Sequence, residues 1–156
     1  MIGIKLTRKG IITLIDDADY DLVFNHKWYL HKCGNSFYAS AAINNKFTYL
    51  HRFLMGVNDK DITIDHIDGD GLNNQRNNLR LCTKAQNNIN TSSNKNTTSK
   101  YKGVSWAKHC NRWRAQICKD KVCRYIGYYD TEIEAALAYN NIAKTLHGEF
   151  ANLNKL

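Results

Sequence analysis

Four side chains between Asp65 and Asn87 have the types and spacing to do chemistry together. Asp65 and His66 are adjacent, Asn78 follows His66 by twelve residues, and Asn87 comes nine later. An imidazole with an unperturbed pKa of about 6.5 can accept a proton near neutrality. Carboxylate and amide oxygens are the donors a hard cation prefers, and such an ion keeps waters or phosphate oxygens in its remaining positions. An amide that donates and accepts at once suits the pinning of a loop. Proton transfer beside a hard cation is the equipment for hydrolysing a phosphodiester, where an activated water attacks and negative charge builds on the phosphate and the leaving oxygen.

The elements that must position these groups follow from the pattern around them. Apolar residues come in two short groups, Ile62, Ile64 and Ile67, then Leu79 and Leu81, with a polar Asp/Gly/Asn loop between them. That composition makes turns through side-chain-to-backbone bonds. From about Lys84 the pattern turns helical, so the stretch reads as strand, loop, strand, helix: a small hairpin whose helix folds back on it, with His66 ending the first strand. This order, from about Tyr49 to Asn90, resembles the HNH family of ββα-metal nucleases, in the subgroup with Asp-His first and Asn last. The resemblance implies His66 as general base and Asn78 as the residue that holds the loop and the His backbone. It implies Asp65 and Asn87 as protein ligands to one divalent ion, Mg2+ or Mn2+, per site. No zinc is expected, because the four-cysteine spacing of some relatives is missing. Asp68-Gly69-Asp70-Gly71 is no EF loop: with Gly71 at position 6, His66 and Asn77 fall at ligand positions 1 and 12.

Ahead of this core, Lys5-Leu6 and Ile11–Ile15 read as a hairpin turning at Arg8-Lys9-Gly10. Asp16–Asp19 supplies helix-start carboxylates for a short helix to about Asn25 that buries Tyr20, Val23 and Phe24. Trp28–His31, Phe37–Ile43 and Phe47–His51 read as strands with turns at Gly34-Asn35 and Asn44-Asn45, and their aromatics are expected in the core of a small β-rich subdomain. In the lead-in Tyr49–Met55, similar His-Arg pairs precede the catalytic loop of the resembled subgroup. Arg52 is there as a phosphate contact and His51 as an aid to the leaving group, or else the segment holds a solvated Arg and a hydrogen-bonded His.

Asn88–Lys100 has almost no apolar residue and reads as an extended polar linker. Beyond it Tyr101–Ala107, Arg112–Cys118 and Val122–Tyr128 read as three strands. In the middle one, Trp113, Ala115 and Ile117 alternate with Arg112, Arg114 and Gln116. Thr131-Glu132-Ile133-Glu134 is a capping box opening an Ala-rich helix that Gly148 closes after His147. Ile133, Ala136, Leu137, Asn140, Ala143, Lys144 and Leu146 map its face toward the sheet. This half resembles the ethylene-response-factor (APETALA-type) DNA-binding domain through Tyr101–Val104, Trp113–Ile117, Ile126–Tyr129 and Glu134–Asn140. The resemblance implies that Lys102, Ser105, Arg112, Arg114, Gln116 and Tyr125 contact DNA. Ser105, Ala107 and Cys118 stand where Arg is frequent in plants, so the plant recognition sequence does not transfer.

The net charge of +8 favours an anionic partner, and it is uneven. Residues 1–87 carry 11 Lys/Arg against 9 Asp/Glu, whereas residues 88–156 carry 11 against 5. The second half is therefore the electrostatic anchor. The odd count of 5 cysteines, without a Cys-x-x-Cys pair, suggests reduced thiols. No signal peptide or membrane-spanning run is evident, so a soluble intracellular protein is expected and the Asn-x-Ser/Thr sites at Asn90 and Asn96 carry no meaning.

Together these features predict an α+β chain in three parts: an HNH nuclease domain at 1–90 with its ββα-metal core at about 49–90, a linker at 91–100, and a reader at 101–156 built as a three-stranded antiparallel sheet backed by one helix. The expected activity is that of a phage-type homing endonuclease acting on double-stranded DNA, as a monomer that nicks one strand. The alternative is a DNA-binding regulator whose nuclease domain is inactive.

Overall fold

The computed structural model describes residues 1–7, 10–90, 98–119 and 122–156. Arg8 and Lys9 of the first expected turn, linker residues 91–97, and Asp120 and Lys121 lie outside the described residues. The fold is mixed α+β, with four small antiparallel sheets among the described residues. The chain divides into two compact units, Met1–Lys84 and Ala85–Leu156. The division falls at the start of a helix, ahead of the boundary expected at residue 90.

In the first unit β1 (Ile2–Lys5) pairs with β2 (Ile12–Ile15), with Ile4 opposite Thr13. The first strand begins earlier than expected, and Leu6 leaves it to enter the core, its N–H bonded to the Ile11 carbonyl at 2.8 Å. A single 3-10 turn (Asp17–Asp19) leads into α1 (Tyr20–Phe24). Only Val23 of the three expected apolar residues is fully buried, and Phe24 is 65% exposed. A five-residue helix has little inward face, and Tyr20 and Phe24, four apart, stack on each other instead (5.1 Å).

A second sheet runs β3 (Tyr29–Cys33), β4 (Ser36–Ile43), β5 (Lys46–Tyr49) in that order. The β4–β5 turn uses Asn44 and Asn45 at φ 49° and 60°, the left-handed pair that a tight hairpin requires and that Asn tolerates. His51 belongs to a short helix, α2 (Leu50–Leu54), rather than to the end of β5. Strand alternation turns Ala39 and Ala41 inward to a core of Leu6, Ile15, Val23, Trp28, Leu50 and Leu54. It turns Tyr29, His31, Tyr38, Phe47 and Tyr49 to the other face. The aromatics expected in the core are thus mostly outside it: Trp28 is interior, while Tyr29, Phe37 and Phe47 are exposed. The unit closes with β6 (Thr63–His66) paired to β7 (Leu79–Cys82).

Helix α3 (Lys84–Asn90) opens the second unit and takes in Asn88–Asn90, which read as linker in the sequence. Its last carbonyls explain its allegiance: Ile89 accepts from Lys102 Nζ, and Asn90 accepts from Asn152 Nδ2. Strands β8 (Val104–Ala107), β9 (Arg112–Lys119) and β10 (Val122–Tyr129) form a sheet with β9 central. Helix α4 (Glu132–His147) starts at the Thr131/Glu134 capping box and stops at Gly148. Its buried stripe is Ala135, Ala136, Tyr139, Asn140 and Ala143, and the larger Ile133 and Leu137 stay exposed. Small residues let the helix approach the sheet closely. Gly103 shows how closely: a Cβ there would run into the Tyr139 ring and lie 2.5 Å from the Gln116 carbonyl, at a φ of +74°. At the β9–β10 end the register sets Cys118 opposite Cys123, and they form a disulfide. The expectation of reduced thiols fails for this pair, because adjacency across a hairpin is a property of register rather than of spacing. Cys33, Cys82 and Cys110 are free.

Candidate active site

The loop from Ile67 to Asn78 takes its shape from short polar side chains bonding backbone. Asp68 Oδ1 accepts the Asp70 N–H (2.9 Å), Asp70 Oδ1 accepts the Leu72 N–H (2.9 Å), and Asn73 Nδ2 donates to Asp68 Oδ2 (2.7 Å). Asn78 closes the loop with a complete amide. Its Oδ1 accepts the Asp68 N–H (3.1 Å), and its Nδ2 donates to Asp68 Oδ1 (2.9 Å) and to the Asn73 carbonyl (2.8 Å). Its own carbonyl takes the N–H of Ile67, the residue after His66 (2.9 Å). Burial alone would raise the Asp68 carboxyl, but the bonds from Asn73, the Asp70 N–H and Asn78 outweigh it and hold the group below its ordinary value.

Several contacts dock this loop on the rest of its unit. Gly71 lies against β4, where a Cβ would sit 2.6 Å from the Tyr38 ring, and Leu72 packs on the core. At the loop's far end the acidic turn before α1 acts as a clamp. Asp16 accepts the Arg76 N–H (2.8 Å) and Gln75 Nε2 (3.2 Å), and Asp19 pairs with the Arg76 guanidinium (2.7 Å). The Arg76 N–H is the main reason that Asp16 sits below the usual carboxylate value. Read from the sequence as helix-start carboxylates, these aspartates make no side-chain cap.

His66 ends β6 in a buried position, its Nε2 3.2 Å from Asn74 Oδ1. Its ring meets the His51 ring edge-on at 5.1 Å and the Tyr38 ring at 6.0 Å. Burial lowers its pKa, against the Asn74 bond and the nearby aspartates, and so favours the neutral ring a base needs. His51 is held down to about 3, first by burial, then by the charges of His66 and Arg52. It is neutral near pH 7, and its buried Nδ1 has no hydrogen-bond partner among the described residues. That nitrogen is therefore not the hydrogen-bonded one of the alternative expectation.

Asp65 is buried opposite Arg80, which donates through Nε (2.9 Å) and Nη2 (2.7 Å) to its Oδ2. A buried carboxylate beside the candidate base fits a hard divalent ion by donor type, and Arg80 fixes its orientation. Among the described residues no three His, Cys, Asp or Glu converge as a metal cluster, a count that leaves amide donors such as Asn87 aside. Asn87 lies on α3, in the second unit. Arg52 donates to the carbonyls of Ile62 (2.9 Å) and Asp59, bracing the loop before β6. Three residues that matter here were missed in the sequence: Asn74, Thr13 and Arg80. The Asp65–Arg80 pairing has a signal, since pairing Ile64 with Leu81 sets Asp65 across from Arg80. The meeting of Thr13 and Asn74 has none.

In the second unit the register puts Ser105, Arg114 and Tyr128 in one row across the sheet, with Gln116 opposite Tyr125 in the next. Arg112, two residues before Arg114, shares that face and pairs with Asp130 (2.8 Å). The Arg114 Nε is buried without a partner among the described residues, and Tyr125 is exposed. Lys102 lies outside the sheet. Burial pushes it down to about 8, and its ammonium bonds the Ile89 carbonyl.

Asp65 and His66 thus end a strand beside a loop fixed by polar bonds, and the similarity to known proteins gives the class. The family model described as HNH endonuclease matches residues 56–89. An uncharacterised HNH endonuclease of Acanthamoeba polyphaga mimivirus is 38% identical over 153 residues, 95% of this chain and 77% of that protein. Protein 3.8 of Escherichia phage T7 is 36% identical over 92 residues, 59% of this chain and 75% of its own. No solved structure matches. The chain belongs to the HNH endonuclease family, hydrolases that cut DNA with a divalent metal ion. No helix among the described residues is long and apolar enough to cross a membrane.

Proposed function

We propose that this HNH endonuclease is a homing enzyme that hydrolyses one strand of double-stranded DNA at an extended, non-palindromic site. The observation that carries the reading is the adjacency of Asp65 and His66 at the buried end of β6, beside a loop that Asn78 closes. His66 takes the proton of the attacking water, and Asn78 holds the backbone that carries His66. Mg2+ or Mn2+, held by Asp65 and, as the resemblance implies, by Asn87, would supply positive charge toward the phosphate and leaving oxygens. The ββα-metal arrangement that the resemblance implies for β6, β7 and α3 belongs to this proposal.

The second unit is proposed as the DNA reader, of the ethylene-response-factor type. Its support is the shared face of Ser105, Arg112, Arg114, Gln116 and Tyr125 and the charge excess of the C-terminal half. Lys102 and Arg52 are proposed as backbone contacts, secondary because their head groups already serve carbonyls. Joining a reader to a nuclease of low net charge raises the local concentration of the cutting site. One base and one ion cut one strand per encounter, so the enzyme acts as a monomer, inside the cell that holds its target.

The test is supercoiled plasmid carrying a cognate site, with Mg2+ or with EDTA, at enzyme well below saturation, beside sedimentation of the protein. Nicked circles that appear first and vanish with EDTA are expected. Linear product without a nicked precursor, or a stable dimer, contradicts nicking. DNA binding without any cleavage supports the regulator instead.

A further inference from the structure

We propose that Asn74 is a positioning residue that holds His66 in the tautomer protonated on Nε2, leaving the lone pair that accepts the water's proton on Nδ1. The proposal rests on the reading of His66 as general base. Asn74 and Thr13 are each 0% exposed, so their hydrogen bonds must be satisfied within the protein. The backbone N–H of Asn74 donates to the Leu14 carbonyl (2.8 Å), which ties residue 74 to β2 before its side chain is considered.

The amide's orientation follows from its neighbours. Thr13 Oγ1 has one proton and lies 2.7 Å from the Leu72 carbonyl, which can only accept. With that proton given to Leu72, the Asn74 atom 2.8 Å from Thr13 Oγ1 must be the NH2 group. The same nitrogen faces the Gly71 carbonyl at 3.4 Å. Reversing the amide would set two acceptor oxygens against each other there, in a dry place. The atom 3.2 Å from His66 Nε2 is therefore Oδ1, and an amide oxygen offers no proton. The hydrogen of that contact has to come from the ring. A neutral imidazole has one, so its lone pair is on Nδ1. The N-terminal hairpin thus takes part in the chemistry through the chain Leu72 carbonyl, Thr13, Asn74, His66.

The direct test is a long-range proton–nitrogen correlation spectrum of 15N-histidine protein without metal, at a pH where the rings are neutral, with His66→Ala to assign the signals. A pyrrole-type shift at Nε2 and a pyridine-type shift at Nδ1 are expected, and the reverse pattern overturns the proposal. Asn74→Leu should yield a mixture of tautomers and lower the single-turnover cleavage rate about 10- to 100-fold at saturating DNA, with affinity nearly unchanged. A purely structural Asn74 would cost stability in Asn74→Leu while leaving tautomer and rate alone, and that result also overturns it. If Asn74→Leu does not fold, the wild-type spectrum still decides. The spectrum does not depend on cleavage, so an inactive protein with Nε2 protonated would refute the reading of His66 as general base and leave the tautomer assignment standing.

Discussion

The loop beside His66 and the helix behind the C-terminal sheet each hold one fixed geometry, with opposite materials. Between Ile67 and Asn78 only Leu72 reaches the apolar core, and the shape depends on carboxylates and amides bonded to backbone. In the second unit the sheet meets α4 through Ala115, Ala135, Ala136, Tyr139 and Ala143, with space made by Gly103. Polar clasping leaves oxygens and nitrogens near a reacting centre, at the cost of sensitivity to pH and to single lost partners. Close apolar packing gives a rigid platform whose outer face is available to a ligand, at the cost of sensitivity to volume.

The largest stability effect should therefore come from adding one methyl to the second unit. Gly103→Ala combines overpacking of Tyr139 with a strained positive φ, and about 3 kcal/mol or more should be lost from that unit. Amide hydrogen exchange would locate the loss, and unchanged protection of α4 and β9 would break the comparison. In the first unit Asn78→Ala removes a buried amide and leaves the Asp68 N–H and Asn73 carbonyl unpaired, so about 1–3 kcal/mol should be lost together with activity. Falling activity at an unchanged melting temperature would show that Asn78 does not pin the loop.

Acid should act on the first unit through two kinds of group. Folding holds His51 neutral with its pKa down at about 3, so its contribution is complete above its unfolded value of 6.5 and fades as pH falls from there toward 3. Asp68 is lowered too, so its bonds contribute fully above the unfolded value of 3.8 and fade as pH falls through the folded one. Melting temperature should thus decline below about pH 6.5, and His51→Phe should flatten the upper part of that decline. A flat profile from about pH 7 to pH 4 would contradict a buried neutral His51.

The sequence was most readable where structure is local. The Thr131/Glu134 capping box, the alternation of β9 and the loop before Asn78 depend on residues a few positions apart, and each appears where the pattern places it. What it hid depends on which surfaces meet. Ile133 and Leu137 have helical spacing, yet α4 buries its alanines because only those admit Tyr139 so near Gly103. Phe47 and Tyr29 look like core residues until the small Ala39 and Ala41 are seen to take the inward positions. The Thr13–Asn74 bond spans 61 residues, and each partner alone is an ordinary polar residue.

The division of labour between the two units is the central claim, and one paired experiment tests it: binding and single-turnover cleavage of the same DNA by His66→Ala and Arg114→Ala. His66→Ala should lose about 10²- to 10⁴-fold in rate at saturation and keep its affinity, because the imidazole acts on water rather than on the duplex. Arg114→Ala should lose about 1–3 kcal/mol of affinity, with preference relaxed at one position, and cut at nearly the wild-type rate once bound. Near wild-type cleavage by His66→Ala, or both variants losing the same quantity, would contradict the account.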